Sequence, residues 1–158
     1  MKIKDGYYLF YGSVFSNFYP CSIVYKDETY PTSEHVFMRI KAEKFGDFEI
    51  AEKILEAKTP QDAKKLGRKV KNYDDVVWNE CREQAMYDAC FAKFSQNPKL
   101  LNMITETKDL IIVEASPFDR IWGIGLGVED DNATDESKWK GKNLLGKVLM
   151  KVREDLKK

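Results

Sequence analysis

This chain is poor in the residues from which metal centres and disulfide scaffolds are built. It has one histidine, His35, and three cysteines, Cys21, Cys81 and Cys90, none paired at a metal-ligand spacing. An odd number of scattered cysteines behind the start Met1-Lys2-Ile3-Lys4-Asp5, which has no apolar export core, predicts reduced thiols in a cytoplasmic protein and argues against zinc. Net charge is absent too: 26 lysines and arginines balance 26 aspartates and glutamates, so bulk charge does not favour wrapping a nucleic acid or an anionic membrane. No apolar run approaches the ~20 residues that span a bilayer. Repeats, low-complexity tracts and linkers are missing. What remains is a chain of 158 residues, 43% hydrophobic, long enough to bury one real core, for which a small ligand or short substrate is the natural partner.

Along the chain the first thirty residues are extended. Tyr7 to Tyr11 is aromatic-rich, and Cys21 to Tyr30 forms two short strands around the polar turn Lys26-Asp27-Glu28. Helical signals follow from Thr32 onward: Glu34 to Lys44, Phe48 to Ala57, a short helix opened by Thr59-Pro60 and closed near Gly67, and a long one from about Asp74 to Phe94. Asn97-Pro98 restarts a helix. A further strand is expected at Leu110 to Val113, then an irregular glycine- and acid-rich stretch from Ser116 to Gly141 that suits a site or lid, and a final amphipathic helix through Leu144, Val148 and Leu156. The fold class read from this order is α+β: a mainly helical single domain, residues 1–158, with a small antiparallel β-sheet.

Three constellations carry chemistry. Tyr30-Pro31-Thr32-Ser33-Glu34-His35 places Glu34 in a first helical turn, capped by Thr32 or Ser33, where the helix dipole favours an ionised carboxylate. Glu34, Met38 and Lys41 share that helix's face, with the carboxylate and ammonium ~10 Å apart along the axis, a spacing suited to opposite ends of a polar ligand. His35 points to another face. The second constellation is Ser116-Pro117-Phe118-Asp119-Arg120-Ile121-Trp122-Gly123, in which Asp119 supplies a second carboxylate and Trp122 a flat face for a heterocycle. Its ordinary roles would be a turn cap for Asp119 and core packing for Trp122. In the third, Asn143 stands before the last helix as its N-cap beside Lys142, where free amides can receive an anion. Gly123 to Gly127 lacks the glycine spacing of a dinucleotide loop. The acids Glu129-Asp130-Asp131 read as a solvated loop, with at most opportunistic affinity for a divalent ion.

These residues together carry a resemblance. Tyr11-Gly12, Ser16-Asn17-Phe18-Tyr19-Pro20, Tyr30 to His35 and Lys41-Ala42 resemble the opening of the YbiA-like, or NADAR, N-glycosidase family. Ala63 to Arg68, Trp78 with Arg82 and Met86, Lys93-Phe94, Asp119 with Trp122-Gly123, and Gly141 to Gly146 follow in the family's order. The resemblance covers nearly the whole chain and departs in the long acidic stretch between Gly123 and Trp139.

The resemblance implies hydrolysis of a ribose–base C–N bond without cofactor or metal, with ribosylamino-pyrimidine intermediates of riboflavin synthesis or ADP-ribosylated guanine as substrates, the latter as a nucleotide or within nucleic acid. Glu34 and Asp119 become the catalytic pair. Substrate-binding positions are Asn17, Phe18, Lys41, Trp78, Arg82, Trp122, Gly123, Lys142 and Asn143: tryptophans for stacking, cations for phosphate, asparagines for hydrogen bonds. A monomer or small homo-oligomer is expected. The competing reading is a non-catalytic module that binds ADP-ribose or a related nucleotide through the same groups.

Overall fold

Two pairs of left-handed residues build the hairpins. Asp5 and Gly6 take φ of 53° and 87°, the backbone a two-residue hairpin requires, so Lys2–Lys4 (β1) folds back antiparallel on Tyr7–Phe10 (β2) with Ile3 opposite Tyr8. The sequence reading has no strand before Tyr7; the Asp-Gly pair creates one. Lys26 and Asp27, at 48° and 67°, do the same for Ile23–Tyr25 (β3) and Glu28–Tyr30 (β4), the expected pairing. These and the remaining elements belong to a computed structural model that describes residues 1–158.

Side-chain caps explain where four of the six helices begin. Thr32 Oγ1 accepts from the His35 amide (3.2 Å) ahead of Ser33–Lys44 (α1), and Asp47 accepts from the Ile50 amide (3.1 Å) ahead of Phe48–Glu56 (α2). Thr59 accepts from the Asp62 amide (3.1 Å) before Pro60–Gly67 (α3), and Asp74 accepts from Val76 and Val77 before Asp75–Gln96 (α4). Such caps contribute about 1 kcal/mol each. Pro98–Thr105 (α5) and Leu144–Leu156 (α6) complete the helices, and Ile111–Glu114 forms β5.

The chain forms two compact units, one of residues 17–101 and the other of residues 1–16 with 102–158. In the first, α1 packs against α2, α3 and α4, and every residue from Ser33 to Met38 is buried. Gly67 lets α3 approach closely, because a Cβ there would fall 2.0 Å from Met38 Sδ. In the second, β1, β2 and β5 form a sheet backed by α6. The α+β architecture is as expected, with one refinement: β5 joins β2 in parallel, Tyr8 beside Ile112 and Leu9 beside Val113. A parallel partner requires a long crossover, and here the whole helical unit intervenes in sequence.

Candidate functional site

Glu34 is the second residue of α1, and the backbone around it is fixed from two directions. Its amide donates to the Asn17 carbonyl (3.0 Å), while the Asn17 side chain accepts from Ser33 Oγ (2.9 Å) and directs its Nδ2 at Met86 Sδ (3.1 Å). Asn17 is thereby a positioning residue that anchors the segment before α1 to the start of the helix. With the His35 amide taken by Thr32, two first-turn amides already have protein acceptors, so this helix start is not an open anion cradle. The group it sets in place is the Glu34 carboxylate, on a residue only 7% exposed.

Two turns along α1, the Lys41 ammonium lies 4.7 Å from the Tyr73 ring centroid and 5.8 Å from that of Trp78. Aromatic faces attract a cation. Burial pulls the Lys41 pKa below its usual value, while the negative charge of Glu34 opposes that shift and Arg68 reinforces it. Trp78 is itself 7% exposed, its ring 5.4 Å from Phe37 and 6.4 Å from Phe45, so it forms a wall of the cluster. Arg82, one turn further on α4, keeps a buried Nε without a hydrogen-bond partner. Phe18 is half-buried with the Lys64 ammonium 5.9 Å from its ring. Tyr73 was not among the sequence candidates; it reaches Lys41 only through the fold. Its hydroxyl donates to Asp75 (2.6 Å), which pushes its pKa up to about 12.

The remaining candidates belong to the other unit. Asp119 Oδ1 accepts from the amides of Ile121 (2.9 Å) and Trp122 (2.8 Å), and its carbonyl accepts from Gly125 (3.1 Å), an arrangement that closes a turn. Trp122 is half-buried and Lys142 exposed. Gly123 and Gly141 allow backbones to meet: a Cβ on Gly141 would lie 2.4 Å from the Gly123 carbonyl oxygen. Asn143 stands at the N-cap position of α6 in the left-handed conformation, but its side chain makes no cap hydrogen bond. Instead Nδ2 donates to the Ile112 carbonyl and Oδ1 accepts from the Glu114 amide, both at 3.0 Å, tying α6 to β5.

The acidic stretch expected as a site or lid is packed down. Leu126 and Ala133 join Leu9, Val113, Ala115 and Ile124 in one apolar cluster, with Val128 and Trp139 against it. Trp139 donates to the Ala133 carbonyl (2.8 Å), and Lys2 pairs with Glu129 (3.2 Å). Apolar side chains at alternating loop positions are what hold it.

His35 is fully buried in the helical unit, its ring nitrogens bonded to Thr32 Oγ1 (2.7 Å) and the Ala57 carbonyl (2.9 Å). Burial lowers its pKa. Its role is structural. Lys93 is buried beside Tyr19 and Phe94, and loss of solvation brings its pKa down to about 8. No group of three or more His, Cys, Asp or Glu side chains comes together as a metal site, and no disulfide joins the three cysteines.

Comparisons with known proteins place this geometry in a class. The NADAR domain matches residues 9–157, spanning both units. The chain is 39% identical to N-glycosidase R617 of Acanthamoeba polyphaga mimivirus, covering 96% of each chain. It is 34% identical to the riboflavin biosynthesis protein VVA0006 of Vibrio vulnificus, of which it spans 35%. The NMR structure of the Escherichia coli protein YbiA superimposes with a TM-score of 0.78 at 33% identity, over 99% of this chain and 88% of that one. The α+β fold is thus shared with the YbiA structure, and the sequence is similar along nearly its whole length to a protein named as an N-glycosidase. The chain belongs to the NADAR domain family.

Proposed function

We propose that the protein is an N-glycosidase that hydrolyses the bond between a ribose and a base nitrogen, with Glu34 as its leading catalytic residue. The observation that carries this reading is the placement of Glu34: a buried carboxylate at a helix start, fixed by the Asn17 carbonyl, whose charge is felt by the caged Lys41. Its relatives' names point to the same chemistry.

Cleavage of a ribosyl C–N bond leaves the bonding electron pair on the base nitrogen and positive charge on the anomeric carbon. An anionic Glu34 stabilises that oxocarbenium-like carbon and accepts a proton from the attacking water, whose oxygen forms the new C–O bond; a proton then passes to the departing base. Asp119 orients sugar or water through the turn it closes. Within their own units, Trp78 and Trp122 are the side chains suited to stack on a base, and Lys41, Arg82 and Lys142 those suited to phosphate. In this reading Asn17, Phe18, Gly123 and Asn143 shape the site, the two asparagines by holding backbone.

The substrates we infer are ribosylamino-pyrimidine phosphates of riboflavin synthesis or ADP-ribosylated guanine, handled in the cytoplasm. The test is incubation of wild-type and Glu34→Gln protein with both classes, following free-base release by mass spectrometry. Release by the wild type alone is expected. Tight binding of ADP-ribose without release by either protein would replace the enzyme with a nucleotide-binding module.

A further inference from the structure

Asn17 lies among residues 11–22, which belong to no helix or strand, so no regular backbone ladder fixes the carbonyl that holds the Glu34 amide. Its side chain supplies the fixing contacts instead. Asn17 Oδ1 accepts from Ser33 Oγ (2.9 Å) on α1 and from the Cys90 thiol (3.9 Å) on α4, while Nδ2 donates to Met86 Sδ (3.1 Å), also on α4. Met86 and Cys90 are one turn apart and both buried, so they present two sulfurs to the amide from one helix face. The two sides of this grip differ chemically. A hydroxyl and a thiol can donate, and both meet the oxygen, whereas a thioether can only accept, and it meets the nitrogen. A flipped amide would set Oδ1 against a sulfur with no proton to give. A leucine at position 86 would fill the same volume but leave Nδ2 without its acceptor.

We propose that Met86 is a positioning residue for the hydrolysis assigned to Glu34: its thioether holds the Asn17 amide and, through that residue, the carbonyl that sets the first turn of α1. The inference deepens the N-glycosidase reading and rests on it. The contacts run from Met86 Sδ to Asn17 Nδ2, then from the Asn17 carbonyl to the Glu34 amide at 3.0 Å, with Ser33 Oγ closing the loop. Helix α4 packs directly on α1 and also carries Trp78 and Arg82. The sulfur therefore fixes the carboxylate relative to the helix whose side chains suit the base and a phosphate. A reacting group displaced by about 1 Å loses on the order of a hundredfold in rate, while Trp78 and Arg82 stay in place on α4. Loss of the sulfur should thus appear in kcat and spare KM.

The experiment is a double-mutant cycle on the full chain with Met86→Leu, Asn17→Ala and the pair, following free-base release from ribosylamino-pyrimidine phosphates and ADP-ribosylated guanine nucleotides. Met86→Leu should lower kcat about tenfold to a hundredfold with KM within about twofold of wild type. Because both residues act along one path, adding Met86→Leu to Asn17→Ala should reduce kcat by no more than about a further twofold. A Met86 that only fills the core would shift the thermal midpoint and leave kcat alone. If Met86→Leu does not fold, protein produced with norleucine in place of methionine reads the same loss, since it removes the sulfur and keeps the unbranched chain. The role is overturned if the loss falls in KM, or if the two losses multiply in the double variant. A wild type that releases no base sinks the N-glycosidase reading and this role with it, whereas release undiminished in Met86→Leu sinks this role alone.

Discussion

Glu34 and Asp119 both follow a proline closely and both stand three residues before an aromatic side chain, Phe37 and Trp122, but the two units use their carboxylates in opposite senses. In the unit of residues 17–101 the backbone serves the carboxylate: the Asn17 carbonyl and the Thr32 cap are spent on orienting the first turn that carries Glu34. In the unit of residues 1–16 and 102–158 the carboxylate serves the backbone, because Asp119 Oδ1 takes two amides to close its turn. A carboxylate used in that way cannot accept a proton without weakening the loop it holds. The chemistry should therefore concentrate at Glu34, with Asp119 acting through the shape of its turn.

The largest expected effect tests this contrast directly. Glu34→Gln keeps the volume and removes the charge, and kcat for base release should fall by about 10³- to 10⁴-fold, in the range for a group that both stabilises a cation and takes a proton. The thermal midpoint should move only modestly, since glutamine keeps the volume and an accepting oxygen, and the dipole contribution lost at a buried helix start is at most about 2 kcal/mol. A large drop in substrate affinity at unchanged kcat would reassign Glu34 to binding.

Next in size is a purely structural break in the sheet-bearing unit. Asn143→Ala would orphan the Ile112 carbonyl and the Glu114 amide and place alanine in a left-handed conformation, at φ of 53°. One buried and one half-buried backbone group without partners and a strained residue should cost about 3 kcal/mol in chemical denaturation. A midpoint equal to wild type would show that α6 is held to β5 by packing alone.

Burial shifts two ionisable groups of the helical unit, Lys93 and His35. The helical unit buries Lys93, whose pKa is lowered to about 8 from 10.5 by lost solvation. Between those values the unfolded chain binds a proton that the native protein does not, so stability should rise as pH increases from about 8 to 10.5, by roughly 3 kcal/mol at most. Lys93→Met should flatten that rise. His35 acts at lower pH. Burial lowers its pKa from 6.5, so its contribution is complete above 6.5 and is lost as pH falls through its native value. Urea titrations at several pH values check both, and a flat wild-type profile would contradict them.

The helical unit was largely legible in the sequence because its signals are local. Thr59-Pro60, Asp74 and Asn97-Pro98 mark helix starts through chemistry confined to one turn, and each begins within a residue or two of its expected place. The other unit depends on pairings distant in sequence. No local pattern shows that β5 lies parallel to β2, that Asn143 spends its side chain on β5 and not on its own helix, or that alternating apolar residues pin the acidic stretch to Leu9 and Val113. In the site the same division holds: Glu34 and Lys41 follow from helical spacing, whereas Tyr73 meets Lys41 only after α3 and α4 have packed on α1.

The smallest expected effect is the sharpest probe of the comparison. Asp119→Asn keeps an oxygen that can accept from the Ile121 and Trp122 amides, so the turn should survive with a stability loss under about 1 kcal/mol. If Asp119 works by holding that turn, base release should fall less than about tenfold. Asp119→Ala removes the acceptor and should cost more in both respects, with the larger share in KM, because a loosened loop misplaces binding groups before it alters chemistry. The pair of variants separates shape from charge. Equal and severe loss of kcat in Asn and Ala, at unchanged stability, would put the Asp119 charge into the reaction beside Glu34 and erase the distinction between the two units.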